Sequence, residues 1–189
     1  MHITSAVFVK GIKGTDDVLY DGTPQIAFVG RSNVGKSSMI NTLVNRNDLV
    51  KVGKKPGKTT EINFFLVNKE LYFVDLPGYG YAALPGEERE QIRKMIIWYL
   101  TESEVRPKKV VLIVDIKVGL THFDEEMLKL LREMNHPYLV VANKADKLGT
   151  GGVERQLGLI RQACTGDEVV SFSSTAHVGT DALLQRIIS

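Results

Sequence analysis

Short apolar runs alternate with amphipathic segments along almost the whole chain. The apolar runs are 26–29, 62–67, 71–74, 110–114, 138–142 and 169–172, and the segments with helical spacing of apolar residues are 34–45, 87–102, 123–134, 153–163 and 181–188. The run 110–114 is apolar throughout, as in a strand that helices cover on both faces. The polar residues 68–70 between two runs indicate a hairpin. The pattern predicts an α/β fold with a mostly parallel six-stranded sheet, one antiparallel edge strand and helices on both faces.

Length and composition are typical of one domain. The 189 residues are 43% hydrophobic, which excludes wholesale disorder. No repeat, low-complexity stretch or linker divides the chain, so we expect one domain over residues 1–189, with a short segment 1–23 ahead of the first predicted strand.

Cysteine usage and hydropathy bear on location and partners. The single cysteine, Cys164, excludes an internal disulfide and is typical of the reducing cytoplasm. No signal peptide is recognisable and no run of 18 apolar residues occurs, so we expect a cytoplasmic protein without a membrane partner. A net charge of +2 neither demands nor excludes a polyanionic partner. We also expect a monomer.

A phosphate-binding loop follows the first predicted strand. Residues 30–37 match G-x-x-x-x-G-K-[ST], and a predicted helix begins directly after them. In such a loop the main-chain N–H groups and the helix N-terminus surround phosphate oxygens, the lysine reaches the β- and γ-phosphates, and the hydroxyl binds Mg²⁺. The candidate phosphate contacts are Gly30, Arg31, Ser32, Asn33, Val34, Gly35, Lys36, Ser37 and Ser38.

A second candidate phosphate motif ends the predicted strand 71–74. Asp75 stands where an aspartate can hold Mg²⁺ directly or through water, and Gly78 lets a main-chain N–H approach the γ-phosphate. The motif comprises Asp75, Leu76, Pro77 and Gly78. By itself D-x-x-G is usually only a turn, so its weight comes from its position after a phosphate loop.

The base-binding candidates follow the last two predicted strands. They are Asn143, Lys144, Ala145 and Asp146 after one strand, and Ser173 and Ser174 after the other. The Asp146 carboxylate can accept hydrogen bonds from N1–H and the exocyclic amine of guanine. Adenine offers neither donor there, so these residues disfavour the rival reading of an ATPase or kinase. Taken alone, each segment could be an ordinary polar turn.

In this order, the motifs resemble those of GTPases with a Ras-like G domain. Three longer runs are similar to the EngB (YihA/YsxC) family of ribosome-biogenesis GTP-binding proteins, in the TrmE-Era-EngA-EngB-septin superfamily: GRSNVGKSS at 30–38, KPGKTTEINFF at 55–65 and FVDLPGYGYA at 73–82. The resemblance covers essentially the whole chain. Two departures are Asn143, where many relatives have threonine, and Thr60, where glutamine is frequent.

The resemblance implies a switch that binds GTP and GDP with Mg²⁺. It assigns the metal to Ser37 and Thr59, and further nucleotide contacts to Gly57, Lys58 and Thr60. It also implies a role in assembly of the large ribosomal subunit, through ribosomal RNA or ribosomal proteins, and an association with cell division and septation. The alternative left open is a constitutive RNA- or ribosome-binding module whose nucleotide site is structural.

The catalytic machinery is incomplete in the sequence. Tyr79 stands where many GTPases have a glutamine that orients water, and no arginine finger is evident. We therefore predict slow intrinsic hydrolysis that a partner accelerates, with Lys36 and Asn33 as the catalytic candidates. In some relatives an asparagine at the position of Asn33 helps to hold K⁺, which makes K⁺ a further candidate cofactor.

Four lysines in residues 51–58 predict a basic patch beside the switch threonine. If the γ-phosphate orders this loop, affinity for a phosphate backbone depends on the nucleotide; a solvated loop is the competing interpretation. Tyr79, Tyr81 and Leu84 could be partly exposed contacts or could pack inward. Arg106, Lys108 and Lys109 form a smaller basic cluster, which we interpret as a polar loop.

Overall fold

A twisted sheet with five helices around it is seen in the computed structural model, which describes residues 2–50, 61–80 and 83–188. The strands in these residues are β1 (Ala6–Ile12), β2 (Gln25–Gly30), β3 (Ile62–Val67), β4 (Leu71–Asp75), β5 (Lys109–Asp115), β6 (Tyr138–Asn143) and β7 (Val169–Ser171). The helices are α1 (Lys36–Leu43), α2 (Gly86–Thr101), α3 (His122–Glu133), α4 (Thr150–Ala163) and α5 (Thr180–Ile188).

The strand order is β1-β3-β4-β2-β5-β6-β7. Strand β2 is parallel to β4 and β5, and the parallel pairing continues through β6 to β7. Strand β3 is antiparallel to both of its neighbours, β1 and β4. The α/β class and the mostly parallel sheet are therefore confirmed.

The sheet has seven strands in the described residues, so the predicted number of six was wrong. The extra strand, β1, comes from the N-terminal segment and covers β3, which is therefore not at the edge. Only Ala6 and Ile12, at its two ends, are buried, and a register shift between Phe8 and Lys10 interrupts its pairing. A strand that buries so little lacks the alternation by which sequence patterns reveal strands.

Two apolar cores lie on opposite faces of the sheet. Val110, Leu112 and Val114 of β5 pack in one core, with α2, α3 and α4, whereas Val111 and Ile113 pack in the other, with α1 and α5. This two-sided burial explains the uninterrupted apolar run that predicted the strand. In the described parts of the chain, no helix is long and apolar enough to cross a membrane.

The parallel strands place the sequence motifs along one edge of the sheet. The phosphate loop follows β2, Asp75 ends β4, Asn143 ends β6, and Ser173 lies just after β7. Because parallel strands end at the same edge, segments more than 100 residues apart in sequence become neighbours there.

Candidate nucleotide site

The phosphate loop turns sharply from β2 into α1. Gly35 has φ 99°, and a Cβ at this position would lie 2.3 Å from Nδ2 of Asn143. A Cβ on Gly30 would lie 2.6 Å from the carbonyl oxygen of Ile113. Both positions therefore require glycine. Gly35 needs it for its conformation and its size, and Gly30 needs it because the main chain packs closely there. Within the described residues no side chain caps the N-terminus of α1, and its N–H groups are suited to bind an anion.

Lys36 and Ser37 both contact the carboxylate of Asp75. The Lys36 Nζ lies 2.9 Å from Oδ1, and Ser37 Oγ donates a hydrogen bond to Oδ2 at 3.3 Å. Lys36 is 7% exposed and Asp75 is fully buried. The ion pair is not aligned as a hydrogen bond, so Oδ1 has no hydrogen-bond partner among the described residues. A buried carboxylate oxygen without a hydrogen-bond partner can accept a hydrogen bond from a water molecule that a metal ion holds, or from another donor.

Asn143 joins the base motif to the phosphate loop. Its Nδ2 donates a hydrogen bond to the carbonyl oxygen of Val34 at 3.0 Å. Its Oδ1 accepts one from Ser174 Oγ at 3.4 Å, and the side chain is buried. In this arrangement Asn143 braces the loop that would hold the phosphates and links it to the segment after β7.

Asp146 is held as a charged acceptor at the surface. Ser173 Oγ donates a hydrogen bond to Oδ1 at 2.6 Å, and Lys147 Nζ lies 3.3 Å from Oδ2. The hydrogen bond from Ser173, supported by Lys147, lowers the pKa of the Asp146 carboxyl. Asp146 therefore stays ionised at neutral pH, as a group that accepts two hydrogen bonds from guanine must be.

Lys144, a predicted base-motif residue, forms a contact with a carboxylate that the sequence did not indicate. Lys144 adopts φ 67°, and its Nζ donates a hydrogen bond to Oδ2 of Asp115 at 2.7 Å. Asp115 ends β5, the strand beside β6. Lys144, just after β6, thus links the ends of β5 and β6. This contact depends on the pairing of the two strands and could not be read from the sequence.

Tyr79 packs inward. It is 8% exposed, and its Oη donates a hydrogen bond to Oδ1 of Asp124 at 2.7 Å. Burial, with the adjacent Asp124, raises the pKa of the Tyr79 phenol well above its usual value. Arg31 also faces this carboxylate, with Nε 3.9 Å from Oδ2. The contact between Tyr79 and Asp124 joins residues 45 positions apart and has no signal in the sequence.

Several predicted site residues lie outside the described residues. They are Gly57, Lys58, Thr59, Thr60, the lysines of the 51–58 run and Tyr81. Leu84 is described and packs partly buried against the core that contains α2. Asn33 is exposed and has φ 65°.

The smaller basic cluster has a structural role in the described part of the chain. Arg106 donates a hydrogen bond to the carbonyl oxygen of Met134 at 3.1 Å, after α3. Lys108 and Lys109 donate to the carbonyl oxygens of Ile188 and Arg186, in the last turn of α5. Cations at helix C-termini satisfy free carbonyl groups and complement the helix dipole. Arg106 and Lys108 lie in the loop before β5, as interpreted, whereas Lys109 is the first residue of β5 itself.

Comparisons of the sequence identify relatives over its full length. The sequence model of a family described as "50S ribosome-binding GTPase" matches residues 25–144. A "Probable GTP-binding protein EngB" of Clostridium kluyveri is 43% identical over 192 aligned positions, covering 100% of this chain and 97% of the relative. The protein of the same name in Bacillus subtilis is 40% identical over 184 positions, covering 96% and 94%.

Solved structures agree with this assignment. A crystal structure of a probable GTP-binding protein engB has a TM-score of 0.73 and 28% identity, covering 87% of this chain and 96% of that one. Era in complex with MgGDPNP and nucleotides of 16S ribosomal RNA has a TM-score of 0.71 and 25% identity, covering 88% and 56%. NFeoB from S. thermophilus bound to GDP.AlF4⁻ and K⁺ has a TM-score of 0.64 and 25% identity, covering 88% and 61%.

These matches confirm the resemblance predicted from the three motif runs. The chain therefore belongs to the EngB family of GTP-binding proteins, and it is a GTPase with the P-loop fold.

Proposed function

We propose that this GTPase is a switch that binds GTP or GDP with Mg²⁺, hydrolyses GTP slowly when alone, and acts on the large ribosomal subunit during its assembly. The observation that carries the proposal is the convergence of Lys36, Asp75, Asn143 and Asp146 at one edge of the sheet. In this proposal the whole chain, 1–189, works as one cytoplasmic G domain and as a monomer. The association with cell division and septation rests on family resemblance alone.

The phosphate end of the site suits a magnesium nucleotide. The buried Asp75 Oδ1, without a hydrogen-bond partner among the described residues, and the neighbouring Ser37 hydroxyl are the oxygen groups that Mg²⁺ prefers. Ser37 would hold the ion, with Thr59 as the second protein ligand and Asp75 as a water-mediated contact. When bound, Mg²⁺ neutralises charge on the phosphate oxygens. Lys36 would leave Asp75 for the β- and γ-phosphates, and the N–H groups of residues 30–38 would surround them.

The base end of the site suits guanine. The ionised Asp146 offers two acceptor oxygens, as the N1–H and exocyclic amine of guanine require. Ser173 orients this carboxylate, and main-chain groups near Ser173 and Ser174 would approach the base carbonyl. Competition of ATP and GTP for the same site tests the assignment, with preferential displacement by GTP as the expected result.

The positions of the Tyr79 and Arg31 side chains support slow intrinsic hydrolysis. The Tyr79 phenol donates to Asp124, and the Arg31 guanidinium faces the same carboxylate. In these positions neither orients a water molecule nor stabilises charge on the γ-phosphate. Lys36, the main-chain N–H groups and the bound ion remain to stabilise the transition state. An isolated protein that turns over several times per second without additions contradicts this part of the proposal.

Potassium is the proposed additional ion, near Asn33. The exposed position of Asn33 leaves its amide oxygen available, and the similar NFeoB structure is described as bound to K⁺. Hydrolysis measured in matched KCl and NaCl is expected to be faster in KCl, and Asn33→Ala should remove the difference. Asn47→Ala, at another exposed asparagine, is the control. Equal rates in the two salts reject a role for K⁺.

The ribosomal role is supported by the description of the matching family and by the Era complex with ribosomal RNA. The experiment is co-sedimentation with isolated large and small subunits in GDP or in a non-hydrolysable GTP analogue. We expect stronger binding to the large subunit with the analogue. Equal binding in both nucleotides supports the alternative of a constitutive RNA- or ribosome-binding module.

The basic run at 51–58 is the proposed nucleotide-dependent contact. Replacing its lysines by glutamine should weaken subunit binding in the analogue and reduce the dependence of binding on salt. The matched control replaces four exposed lysines elsewhere. These are Lys13, Lys69, Lys94 and Lys117. Equal losses in both variants reject the run as a specific contact.

A further inference from the structure

Tyr79 is fastened to the molecule through both its main chain and its side chain. Its carbonyl oxygen accepts a hydrogen bond from Ser32 N at 2.9 Å, within the phosphate loop. Its Oη donates to Asp124 Oδ1 at 2.7 Å, at the start of α3. The ring belongs to the core that also contains α2 and α3. One residue thus connects the phosphate loop, the segment after β4 and the N-terminus of α3.

Asp124 is built to receive this hydrogen bond. The residue is 1% exposed, and its Oδ2 accepts hydrogen bonds from Thr121 N at 2.9 Å and Thr121 Oγ1 at 2.7 Å. The Tyr79 phenol is the partner of Oδ1, and Arg31 Nε, at 3.9 Å from Oδ2, is too far for a hydrogen bond. Since an unpaired buried carboxylate oxygen is costly, Asp124 holds the phenol in one position.

The position of Tyr79 determines that of the preceding Gly78. A Cβ on Gly78 would lie 2.9 Å from Cα of Ser32, so the main chain of Gly78 lies directly against the phosphate loop. Gly80, on the other side, has φ 71°, a conformation that turns the chain away. Tyr79 is therefore the anchor at the end of the D-x-x-G motif, and the Gly78 N–H moves only as far as this anchor allows.

We propose that Tyr79 and Asp124 form a positioning pair that holds the Gly78 N–H against the phosphate loop, ready for the γ-phosphate of GTP. This inference rests on the proposed function, because it takes Gly78 as a γ-phosphate contact. GDP has no γ-phosphate, so the pair contributes to the binding and hydrolysis of GTP and not to the binding of GDP. Tyr79 thus acts at this site by placing its neighbour, although its own side chain touches no phosphate.

The test compares Tyr79→Phe with the unchanged protein in the full chain. The affinity for GDP, the affinity for a non-hydrolysable GTP analogue, and kcat and KM for GTP are measured together with the melting temperature. Because the lost bond is to a charged group, the analogue affinity and kcat are expected to fall about tenfold, with GDP affinity unchanged. Asp124→Asn removes the charge from the other side of the pair and is expected to cause the same selective loss.

Tyr138→Phe is the matched control. Tyr138 Oη also donates to a carboxylate, that of Asp167, but this pair lies away from the motifs that hold the nucleotide. The control also loses a bond from a phenol to a carboxylate, so it reports the effect of such a loss away from the nucleotide motifs, and the melting temperatures show how far stability changes in each variant. Its preference for the GTP analogue over GDP is expected to stay unchanged.

The outcomes separate this inference from the proposed function. A selective loss of analogue affinity and kcat in Tyr79→Phe and Asp124→Asn supports the positioning pair. Equal losses for GDP and the analogue, or a preference and a kcat like those of the unchanged protein, overturn it. Failure of the unchanged protein to bind the GTP analogue overturns the proposed function itself.

Discussion

The side-chain amide of Asn143 donates a hydrogen bond to the carbonyl oxygen of Val34 at 3.0 Å, across 109 residues of sequence. Through this bond the motif proposed to read the base also supports the loop proposed to hold the phosphates. The two ends of the nucleotide site are therefore mechanically connected, and a change at one end should be felt at the other.

Replacing Asn143 by alanine should weaken GTP and GDP binding together, by about tenfold, because the loss of a buried hydrogen bond costs about 1–3 kcal/mol. The variant leaves the Val34 carbonyl without this donor, so the melting temperature should fall as well. Titration calorimetry with both nucleotides measures the effect. Asn47→Ala, at an exposed position, is the control. A loss for GTP alone contradicts a bracing role.

Gly35→Ala should abolish binding of both nucleotides. The added methyl group would lie 2.3 Å from Asn143 Nδ2, at a backbone φ of 99° that alanine rarely adopts. Gly158→Ala, in α4, would place its Cβ more than 4 Å from any described group outside the helix's own backbone, and should stabilise the protein by up to about 1 kcal/mol. Nucleotide binding and thermal unfolding of the two variants give the comparison. Undisturbed binding in Gly35→Ala is incompatible with this loop geometry.

Asp146→Asn should convert the preference from guanine to xanthine nucleotides. The amide nitrogen is a donor that cannot pair with N1–H or the amine of guanine but can pair with the C2 carbonyl of xanthine. GTP affinity should fall by up to about 10⁴-fold, since a site built for these hydrogen bonds leaves its polar groups unpaired. Competition between GTP and XTP reads the change. If GTP remains preferred, Asp146 does not contact the base edge.

Ser173→Ala should make guanine-nucleotide binding more sensitive to acid. In the unchanged protein the hydrogen bond from Ser173 keeps the pKa of Asp146 below its ordinary value, so the ionised acceptor persists as pH falls. Without that donor the pKa rises, and protonation removes the acceptor at a higher pH. GDP affinity of the variant should therefore decline at a higher pH than that of the unchanged protein when the pH is lowered below about 5. If the affinities of the two proteins decline over the same pH range, Ser173 does not have this role.

Lys36→Ala should destabilise the nucleotide-free protein as well as prevent hydrolysis. Asp75 is fully buried, and Lys36 is the cation 2.9 Å from it. Removing one member of a buried ion pair costs about 3–5 kcal/mol because the other charge is left uncompensated. Lys36→Ala combined with Asp75→Asn should have a larger free energy of unfolding than Lys36→Ala alone. Denaturant unfolding of the single and double variants without nucleotide measures the coupling between the two residues. If the two substitutions change the free energy of unfolding additively, the residues are not coupled.

The chain's local signals predicted most of the fold. Strand β3 begins and ends at the predicted residues, and α2 and α3 are each displaced from prediction by a single residue. These elements have a strong period of apolar residues, which local sequence records directly. Strand β1 has no such period and was missed, because it buries only its ends against β3.

The sequence alone determined the parts of the nucleotide site that consecutive residues form. The phosphate loop requires glycine at Gly30 and Gly35, a lysine, and a helix that begins directly after them, and all are neighbours in the chain. The donor and acceptor pattern of Asp146 is likewise a property of one side chain, and so its proposed contact with guanine could be inferred from the sequence alone.

Only the tertiary structure decided which distant groups contact one another. The side chains of Asn143 and Lys144 meet Val34 and Asp115 because β2, β5 and β6 are adjacent and end at one edge. Tyr79 turns inward because the start of α3 presents Asp124 to it, 45 residues further along the chain. Strand order and helix packing minimise the free energy of the whole molecule, so contacts of this kind leave no local pattern in the sequence.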